Sequence, residues 1–218
     1  MLSIVIPTLQ AEAHLGHALA ALGNADVVVA DGGSTDATKA IATKAGARVI
    51  EAPRGRGSQL AAGARAAGGD WLLFLHADTV LQDGWTTVAS RFMADPANEG
   101  RVGVFRFALD DTPNAARRLE RLVDWRTRVL GLPYGDQGLL ISRSLYDAAG
   151  GFADIPLMED VELVRRIGRA RLVQLDATAL TSPKRYQGGY LGRSARNLFC
   201  LALYFAGVAP ERIERIYR

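Results

Sequence analysis

The stretch DWLLFLHADT, residues 70–79, joins a run of apolar side chains to a polar end. Residues 71–75 are typical of a buried strand, and His76 and Asp78 follow where that strand ends. Similar apolar runs precede it, separated by Ala-rich segments of helical pattern: strands at residues 2–6, 26–30 and 48–50, and helices at residues 11–22, 35–45 and 57–67. Such alternation is typical of βαβ units. The sequence therefore predicts an α/β fold with a mainly parallel sheet.

The pattern loosens after Asp78 but continues to the end of the chain. We predict further helices at residues 85–94, 114–130 and 161–169, further strands at residues 103–109, 138–142 and 171–175, and a helical segment from Tyr190. Because no low-complexity linker and no internal repeat interrupts the 218 residues, a single domain over residues 1–218 is expected.

Composition narrows the class of protein. The chain is 49% hydrophobic and 22% charged, which suits a globular protein with a substantial core and argues against disorder. Its net charge of +3 is too small to indicate a nucleic-acid partner. The lone Cys200 allows neither an internal disulfide nor a cysteine-rich zinc site, so a reducing, cytoplasmic setting is expected. The apolar run at residues 198–209 is shorter than the ~20 residues that span a bilayer, and the opening MLSIVIPTLQ predicts a strand instead of a signal peptide.

Polar segments follow each of the first four predicted strands: PTLQAE, DGGSTD, APRGRG and HADT. In open α/β sheets, ligands bind beyond the carboxyl ends of the strands. Asp31 and Ser34 could cap a helix or bind a base or ribose, and Arg54 and Arg56 could be solvated or close on a diphosphate. Neither the GxGxxG nor the GxxxxGK[ST] phosphate motif occurs, which argues against a dehydrogenase and a P-loop enzyme.

Six segments together resemble family 2 glycosyltransferases: SIVIPTLQAE, DGGSTDAT, PRGRGSQLAAGA, FLHADT, PYGDQG and GGFADIPLMEDVELVRRI. Within that family the chain is similar to a small bacterial subgroup sometimes labelled selenium/radical-SAM-associated transferases. The resemblance implies the glycosyltransferase A fold, a single α/β/α domain with a mixed, mainly parallel central sheet. It also implies a nucleotide-binding half at residues 1–80, an acceptor half at residues 81–189 and C-terminal helices at residues 190–218.

The resemblance implies a nucleoside-diphosphate sugar, UDP-linked in our interpretation, as the donor. The donor contacts carried over from the family are Pro7, Thr8, Leu9, Glu12, Asp31, Ser34, Arg54, Gly57, His76, Lys184 and Arg185. The last Asp of the family's DxD motif corresponds to Asp78, which would bind Mg²⁺ or Mn²⁺ together with His76. Since His76 replaces a carboxylate, weak metal binding is expected without the nucleotide.

The resemblance also assigns the acceptor side. Asp160 corresponds to the general base, and Glu159 would orient the base or the acceptor. Asp136 and Gln137, in a glycine-flanked turn, would bind a sugar. The residues alone allow other interpretations, because carboxylates often begin helices and Asp often lies in turns.

The expected activity is metal-dependent, inverting transfer of a sugar to an unidentified hydroxyl acceptor, for which a lipid-linked molecule is one alternative. The apolar C-terminal helices could contact the inner face of a membrane, form a homodimer or pack on the core. A nucleotidyltransferase is the first rival function, disfavoured because PTLQAEAH carries neither Gly nor a basic residue. A catalytically silent nucleotide-binding scaffold is the second, and His76 makes it plausible.

Overall fold

A computed structural model of the chain describes residues 1–182 and 190–217. Eight strands form one sheet in the order β3-β2-β1-β4-β7-β6-β8-β5. The strands are β1 (Leu2–Thr8), β2 (Asp26–Asp31), β3 (Arg48–Glu51), β4 (Trp71–Phe74), β5 (Thr79–Leu81), β6 (Val102–Leu109), β7 (Leu139–Ser142) and β8 (Leu172–Thr181). β1 pairs in parallel with β2 and β4, whereas β7 is antiparallel to both of its neighbours. The mixed, mainly parallel sheet is confirmed.

Helices cover both faces of the sheet. They are α1 (Glu12–Ala20), α2 (Thr38–Lys44), α3 (Arg56–Ala66), α4 (Trp85–Ala94), α5 (Asn114–Trp125), α6 (Arg143–Ala148), α7 (Glu159–Ile167), α8 (Tyr190–Phe205) and α9 (Pro210–Tyr217). Successive strand residues point to opposite faces, so Ile4 and Ile6 join a core with α1, α2 and α4. Val5, between them, joins a second core with α3, α6 and α7. The predicted α/β/α arrangement is thereby confirmed.

The C-terminal helices pack against the rest of the domain along one side. Cys200 and Leu201 of α8 and Ile213 of α9 form a buried cluster with Val161 of α7. Of the alternatives for this segment, packing on the core is therefore realised for the inner side of α8 and α9. Among the described helices, none combines the length and the apolar character that crossing a bilayer requires.

Three elements differ from the sequence-based expectation. β5 was not predicted, because three residues are too few to produce an alternating pattern, and it pairs only with β8. β8 continues to Thr181, six residues beyond its predicted end, because β6 supplies a parallel partner along that length. The predicted helix at residues 114–130 changes to a π-helical turn at Arg126–Leu130.

Candidate active site

A cleft of about 750 Å³ opens at the carboxyl ends of β1 and β4. The chain runs from β1 outward to β2 and β3, then returns to place β4 on the other side of β1. The crevice between β1 and β4 is therefore the switch point at which open α/β sheets bind ligands. Residues 7–11 form one wall of this donor cleft, residues 76–78 form another, and the loop at residues 54–56 faces them.

Pro7, Thr8 and Leu9, which the resemblance predicts to contact the donor, line the cleft. Gln59, which the sequence analysis missed, holds this wall in place. Its Nε2 donates to the Thr8 carbonyl over 2.6 Å and to the Ala30 carbonyl over 2.9 Å, tying α3 to the ends of two strands. A Gln near the start of a predicted helix was the only signal for this role.

Asp31 and Ser34 lie behind the cleft wall and not on its surface. The Asp31 carboxylate is fully buried and accepts bonds from the Thr8 and Ser34 hydroxyls and from the Gly33 and Ser34 amides. Burial alone would raise the pKa of Asp31, but these bonds outweigh it and hold the pKa below its usual value. Since a carboxylate has about four acceptor positions, the Asp31 carboxylate is saturated by three bonds from its own loop and one from Thr8 of β1.

Glu12 and Gly57 also lie outside the cleft lining. Glu12 accepts from the Ala37 amide at the exposed start of α1, where it joins the two loops that follow β1 and β2. Gly57 packs against backbone, because a Cβ added there would lie 2.1 Å from the Ala153 carbonyl oxygen. Its role is to let α3 approach residues 153–155, whereas the neighbouring Arg54 lines the cleft.

His76 and Asp78 reach the cleft from the end of β4, in two different environments. Asp78 is half-buried, while His76 is only 8% exposed. A Cβ added to Gly135 would lie 2.4 Å from His76 Nε2, so the imidazole packs against the turn at residues 135–137. Among the described residues no group of three metal-binding side chains occurs. One carboxylate suits Mg²⁺ or Mn²⁺ when phosphate oxygens supply further ligands.

A small pocket of about 60 Å³ adjoins the donor cleft and shares Arg56 and His76 with it. We call it the base pocket, after the predicted general base Asp160 and not after a nucleobase. Asp160 lies in this pocket, in the first turn of α7. Its Oδ2 accepts from the Gly135 amide over 2.7 Å, and its Oδ1 accepts from the Val161 amide over 2.7 Å. The structure thus brings Asp160 close to the residues that follow β4.

Glu159 does not line the base pocket. It is fully buried, and its Oε1 accepts from Arg56 Nη1 over 3.2 Å. Burial raises the pKa of Glu159 to about 7, although the neighbouring guanidinium lowers it. Glu159 therefore lies behind Arg56, and its contact with Arg56 holds that cation between the donor cleft and the base pocket.

Asp136 and Gln137 are neighbours in one turn, but their side chains have different surroundings. Asp136 lines the base pocket. Gln137 is fully buried, where it donates to the Phe105 carbonyl over 3.1 Å and accepts from the Thr127 hydroxyl over 3.0 Å. The predicted acceptor contact by Gln137 is corrected to a structural bond that anchors the turn, because both ends of its amide are occupied inside the protein.

Several lining residues carry no motif in the sequence. Arg126 lies 3.5 Å above the Tyr134 ring, and burial raises the pKa of Tyr134 to about 12. Members of the two cavities that no motif indicated include His14, Tyr134, Thr181, Asn197, Glu214 and Tyr217. Asn197 directly precedes the apolar run at residues 198–209, and this position was the clearest available signal. Lys184 and Arg185, predicted to contact the donor, lie outside the described residues.

Comparison with known protein families matches residues 3–153 to the family described as Glycosyl transferase family 2. No curated protein matches the chain significantly. Among solved structures, a Pyrobaculum calidifontis mannosyltransferase in complex with GDP-Man and Mn²⁺ is 19% identical, with a TM-score of 0.71 over 99% of this chain and 67% of that one.

Two further solved structures share the fold. S. aureus TarS 1-349 in complex with UDP-GlcNAc is 16% identical, with a TM-score of 0.66 over 99% of this chain and 70% of that one. Mycobacterium tuberculosis glucosyl-3-phosphoglycerate synthase with Mn²⁺ and UDP-glucose is 19% identical, with a TM-score of 0.63 over 95% and 79%. The chain spans only 42% of a longer TarS structure. The family match covers well over half of the chain and includes most of the residues that line the donor cleft, and on that ground the chain belongs to glycosyl transferase family 2.

Proposed function

We propose that the protein transfers a sugar from a nucleoside-diphosphate sugar, UDP-linked in our interpretation, to a hydroxyl acceptor with inversion at the anomeric carbon. The observation that carries this proposal is the junction of two cavities, a donor cleft that contains Asp78 and a base pocket that contains Asp160. Arg56 and His76 line both cavities at that junction. A donor and an acceptor bound on the two sides would meet there.

The donor's nucleotide would lie along Pro7, Thr8 and Leu9, with its diphosphate between Arg54, Arg56 and Asp78. Guanidinium groups suit phosphate because their N–H donors match its oxygens. In this proposal Asp31 acts indirectly, since its carboxylate holds the loop at residues 31–34 and has no acceptor position left for a base. The predicted contacts from Lys184 and Arg185 would place further positive charge beside the same diphosphate.

A divalent ion, Mg²⁺ or Mn²⁺, would be held by Asp78 and the donor's phosphates, where it would neutralise charge on the diphosphate. The crystallised relatives that contain Mn²⁺ with a nucleotide sugar support this assignment. Asp78, the cleft carboxylate at the end of β4, fits an ion that takes most of its ligands from phosphate and water.

The chemistry at the junction is a direct displacement. The acceptor oxygen attacks the anomeric carbon while the bond from that carbon to the diphosphate oxygen breaks, and the bonding electron pair leaves with the diphosphate. Asp160 takes the proton from the acceptor hydroxyl. The Gly135 amide holds one Asp160 oxygen, which leaves the carboxylate fixed in position for that transfer. Arg54 and Arg56 stabilise the departing charge.

Two variants separate donor binding from catalysis. Calorimetric titration of UDP and GDP, with and without Mn²⁺, should show metal-dependent binding of one nucleotide that is lost in Asp78→Asn. Asp160→Asn should bind the same nucleotide normally but release nucleoside diphosphate from the sugar donor about 10²- to 10⁴-fold more slowly. Asp83→Asn, an exposed residue outside both cavities, is the matched control and should behave like the parent protein.

The rivals predict other outcomes of the same titrations. A nucleotide-binding scaffold is the second candidate. His76, which packs against Gly135, has no oxygen to offer a metal where the family has a carboxylate. Tight UDP binding that ignores Mn²⁺ and no release of nucleoside diphosphate would replace our proposal with that scaffold. Release of pyrophosphate from a nucleoside triphosphate and a sugar phosphate would identify a nucleotidyltransferase instead.

The narrower resemblance to the bacterial selenium/radical-SAM-associated subgroup stays a prediction, and so does the division into halves at residues 80 and 190. We also propose a cytoplasmic setting. The buried, single Cys200 supports it, since the chain uses no internal disulfide.

A further inference from the structure

Large apolar side chains are exposed together on two packed helices. Leu122 and Trp125 of α5, Leu130 of the following turn and Leu198 of α8 line one groove and make up this surface, which we call the α5–α8 face. Trp125 is 51% exposed and Leu198 48%. Single exposed apolar residues are ordinary, but a contiguous apolar patch indicates a binding surface.

The α5–α8 face leads inward to the proposed catalytic residues. Between the two helices lies an apolar groove whose outer walls are Leu122, Trp125 and Leu198. Tyr134, Asp136 and Asn197 form its inner end, and the same three residues line the base pocket that contains Asp160. Asn197 Oδ1 is buried and accepts no hydrogen bond from the described residues. A ligand that filled the groove could therefore present a hydrogen-bonding group beside Asp160.

The rim of the face is basic. Arg118 and Arg121 are exposed on α5 and precede Leu122 and Trp125 by one helical turn, so each arginine lies beside an apolar side chain. Within residues 1–182 and 190–217 neither arginine forms a salt bridge, unlike Arg128, whose Nε lies 3.1 Å from Asp124. Trp and Leu side chains flanked by arginines suit an anionic lipid surface.

We propose that the acceptor is an amphiphile presented at an anionic lipid surface. Its apolar chain lies in the groove between α5 and α8, and its hydroxyl reaches Asp160, while Arg118 and Arg121 contact anionic headgroups. This inference rests on the proposed function, since it names the class of acceptor for the same displacement. The sequence offered membrane contact only for the C-terminal helices. The proposal extends that role to α5 and the turn at residues 126–130.

A second copy of the chain is a less suitable occupant. In a two-fold symmetric interface the same patch meets itself. Such an interface would gather Arg118 and Arg121 of both copies around one buried patch, and like charges at an interface are unfavourable. Anionic headgroups complement those arginines instead.

Tryptophan fluorescence tests the proposal without knowledge of the donor. Trp85 is buried and Trp71 packs edge-on against Phe92, so an environmental change at the face should be reported by Trp125. When vesicles of phosphatidylglycerol and phosphatidylcholine are added, the tryptophan emission should shift to the blue and the protein should sediment with the vesicles. Leu130→Ser and Leu122→Ser should each weaken sedimentation by about tenfold. Ile216→Ser, which removes an exposed side chain outside the groove, is the matched control.

A pair of soluble probes tests the groove itself. Octyl β-glucoside and methyl β-glucoside share a headgroup and differ in the apolar chain, so only the octyl compound, kept below its micelle concentration, should shift Trp125 emission. Leu198→Ser should abolish that shift. UDP titration of every variant separates the two proposals: unchanged UDP binding with no response to vesicles or octyl β-glucoside would overturn the amphiphile and leave the donor assignment standing. A concentration-dependent blue shift with doubling of the molecular mass would overturn it in favour of a dimer.

Discussion

Gly135 shows at the scale of one residue why the site tolerates His76 where the family pattern has a carboxylate. The His76 imidazole occupies the space that a side chain at position 135 would need. The same glycine donates its amide to Asp160. The identity of residue 76 is thereby linked to the position of the proposed base through a single backbone unit.

We predict that Gly135→Ala lowers the free energy of unfolding by about 1–3 kcal/mol, because the added methyl overlaps His76. The displaced amide should also reduce turnover by roughly tenfold or more, since small misplacements of catalytic groups are costly. The double variant His76→Ala/Gly135→Ala should recover part of the lost stability. Urea unfolding of both single variants and the double variant measures the coupling, and strictly additive free energies would contradict the contact.

Glu159 makes stability depend on pH. Its pKa of about 7 in the folded protein, caused first by burial, lies above its ordinary value of 4.5, so the folded state holds the proton at pH values where the unfolded chain has released it. Stabilisation from this group is therefore complete below pH 4.5 and is lost as the pH rises to about 7.

The matching experiment compares the parent protein with Glu159→Gln, which keeps the shape and an acceptor for Arg56 but cannot titrate. As the pH rises through this range, the parent protein should lose up to roughly 3 kcal/mol of its free energy of unfolding relative to Glu159→Gln. Urea unfolding at a series of pH values measures it. A constant difference, or one that shifts in favour of the parent, would show that burial does not govern this carboxyl.

At the scale of elements, two helical glycines differ in what surrounds them. Gly57 of α3 approaches the backbone at residues 153–155, whereas a Cβ on Gly16 of α1 would meet only Ile41 at an ordinary 3.7 Å. Gly57→Ala should lower the melting temperature, because backbone cannot move aside as a flexible side chain can. Gly16→Ala, the matched control, should raise stability by about 0.5–1 kcal/mol, since alanine favours helix. Equal effects of both substitutions on thermal unfolding would disprove the close approach.

The sequence predicted the elements whose pattern is local. The helix at Trp85–Ala94 was predicted with its observed bounds, because its apolar side chains repeat at helical spacing. The short strand Thr79–Leu81 and the far end of β8 were not, because their strand conformation depends on each other and on β6. The π-helical turn at Arg126–Leu130 was also missed, since nothing in the local pattern distinguishes it from α-helix.

At the scale of the molecule, the base pocket is lined by residues from Arg56 to Tyr217, which span most of the chain. Motifs located Asp78 and Asp160, which follow a strand and begin a helix. They could not locate Asn197 or Tyr217, because those residues reach the pocket only through the packing of α8 and α9 on α7. The resemblance assigned Gln137 to a sugar and did not reveal its burial, which depends on a contact with β6.

Ile213 connects the stability of α9 to the pocket. It is fully buried, and Glu214 and Tyr217 on the same helix line the donor cleft and the base pocket. Ile213→Ala should lower the free energy of unfolding by about 2–5 kcal/mol, and it should raise the KM for the acceptor because Tyr217 loses its support. Ile216→Ala, on the same helix but 46% exposed, should change neither by much. Urea unfolding and steady-state kinetics of the two variants provide the comparison, and equal losses would contradict the packing.

The reach of the base pocket from Arg56 to Tyr217 also concerns the protein while it is being made. A ribosome releases a chain from its amino end at roughly 5–20 residues per second, so the strands that frame the donor cleft emerge well before α9. Until α8 and α9 emerge, the donor cleft lacks Glu214 and the base pocket lacks Asn197 and Tyr217. Both cavities are therefore framed first by the strands and completed only afterwards, when α8 and α9 pack on α7.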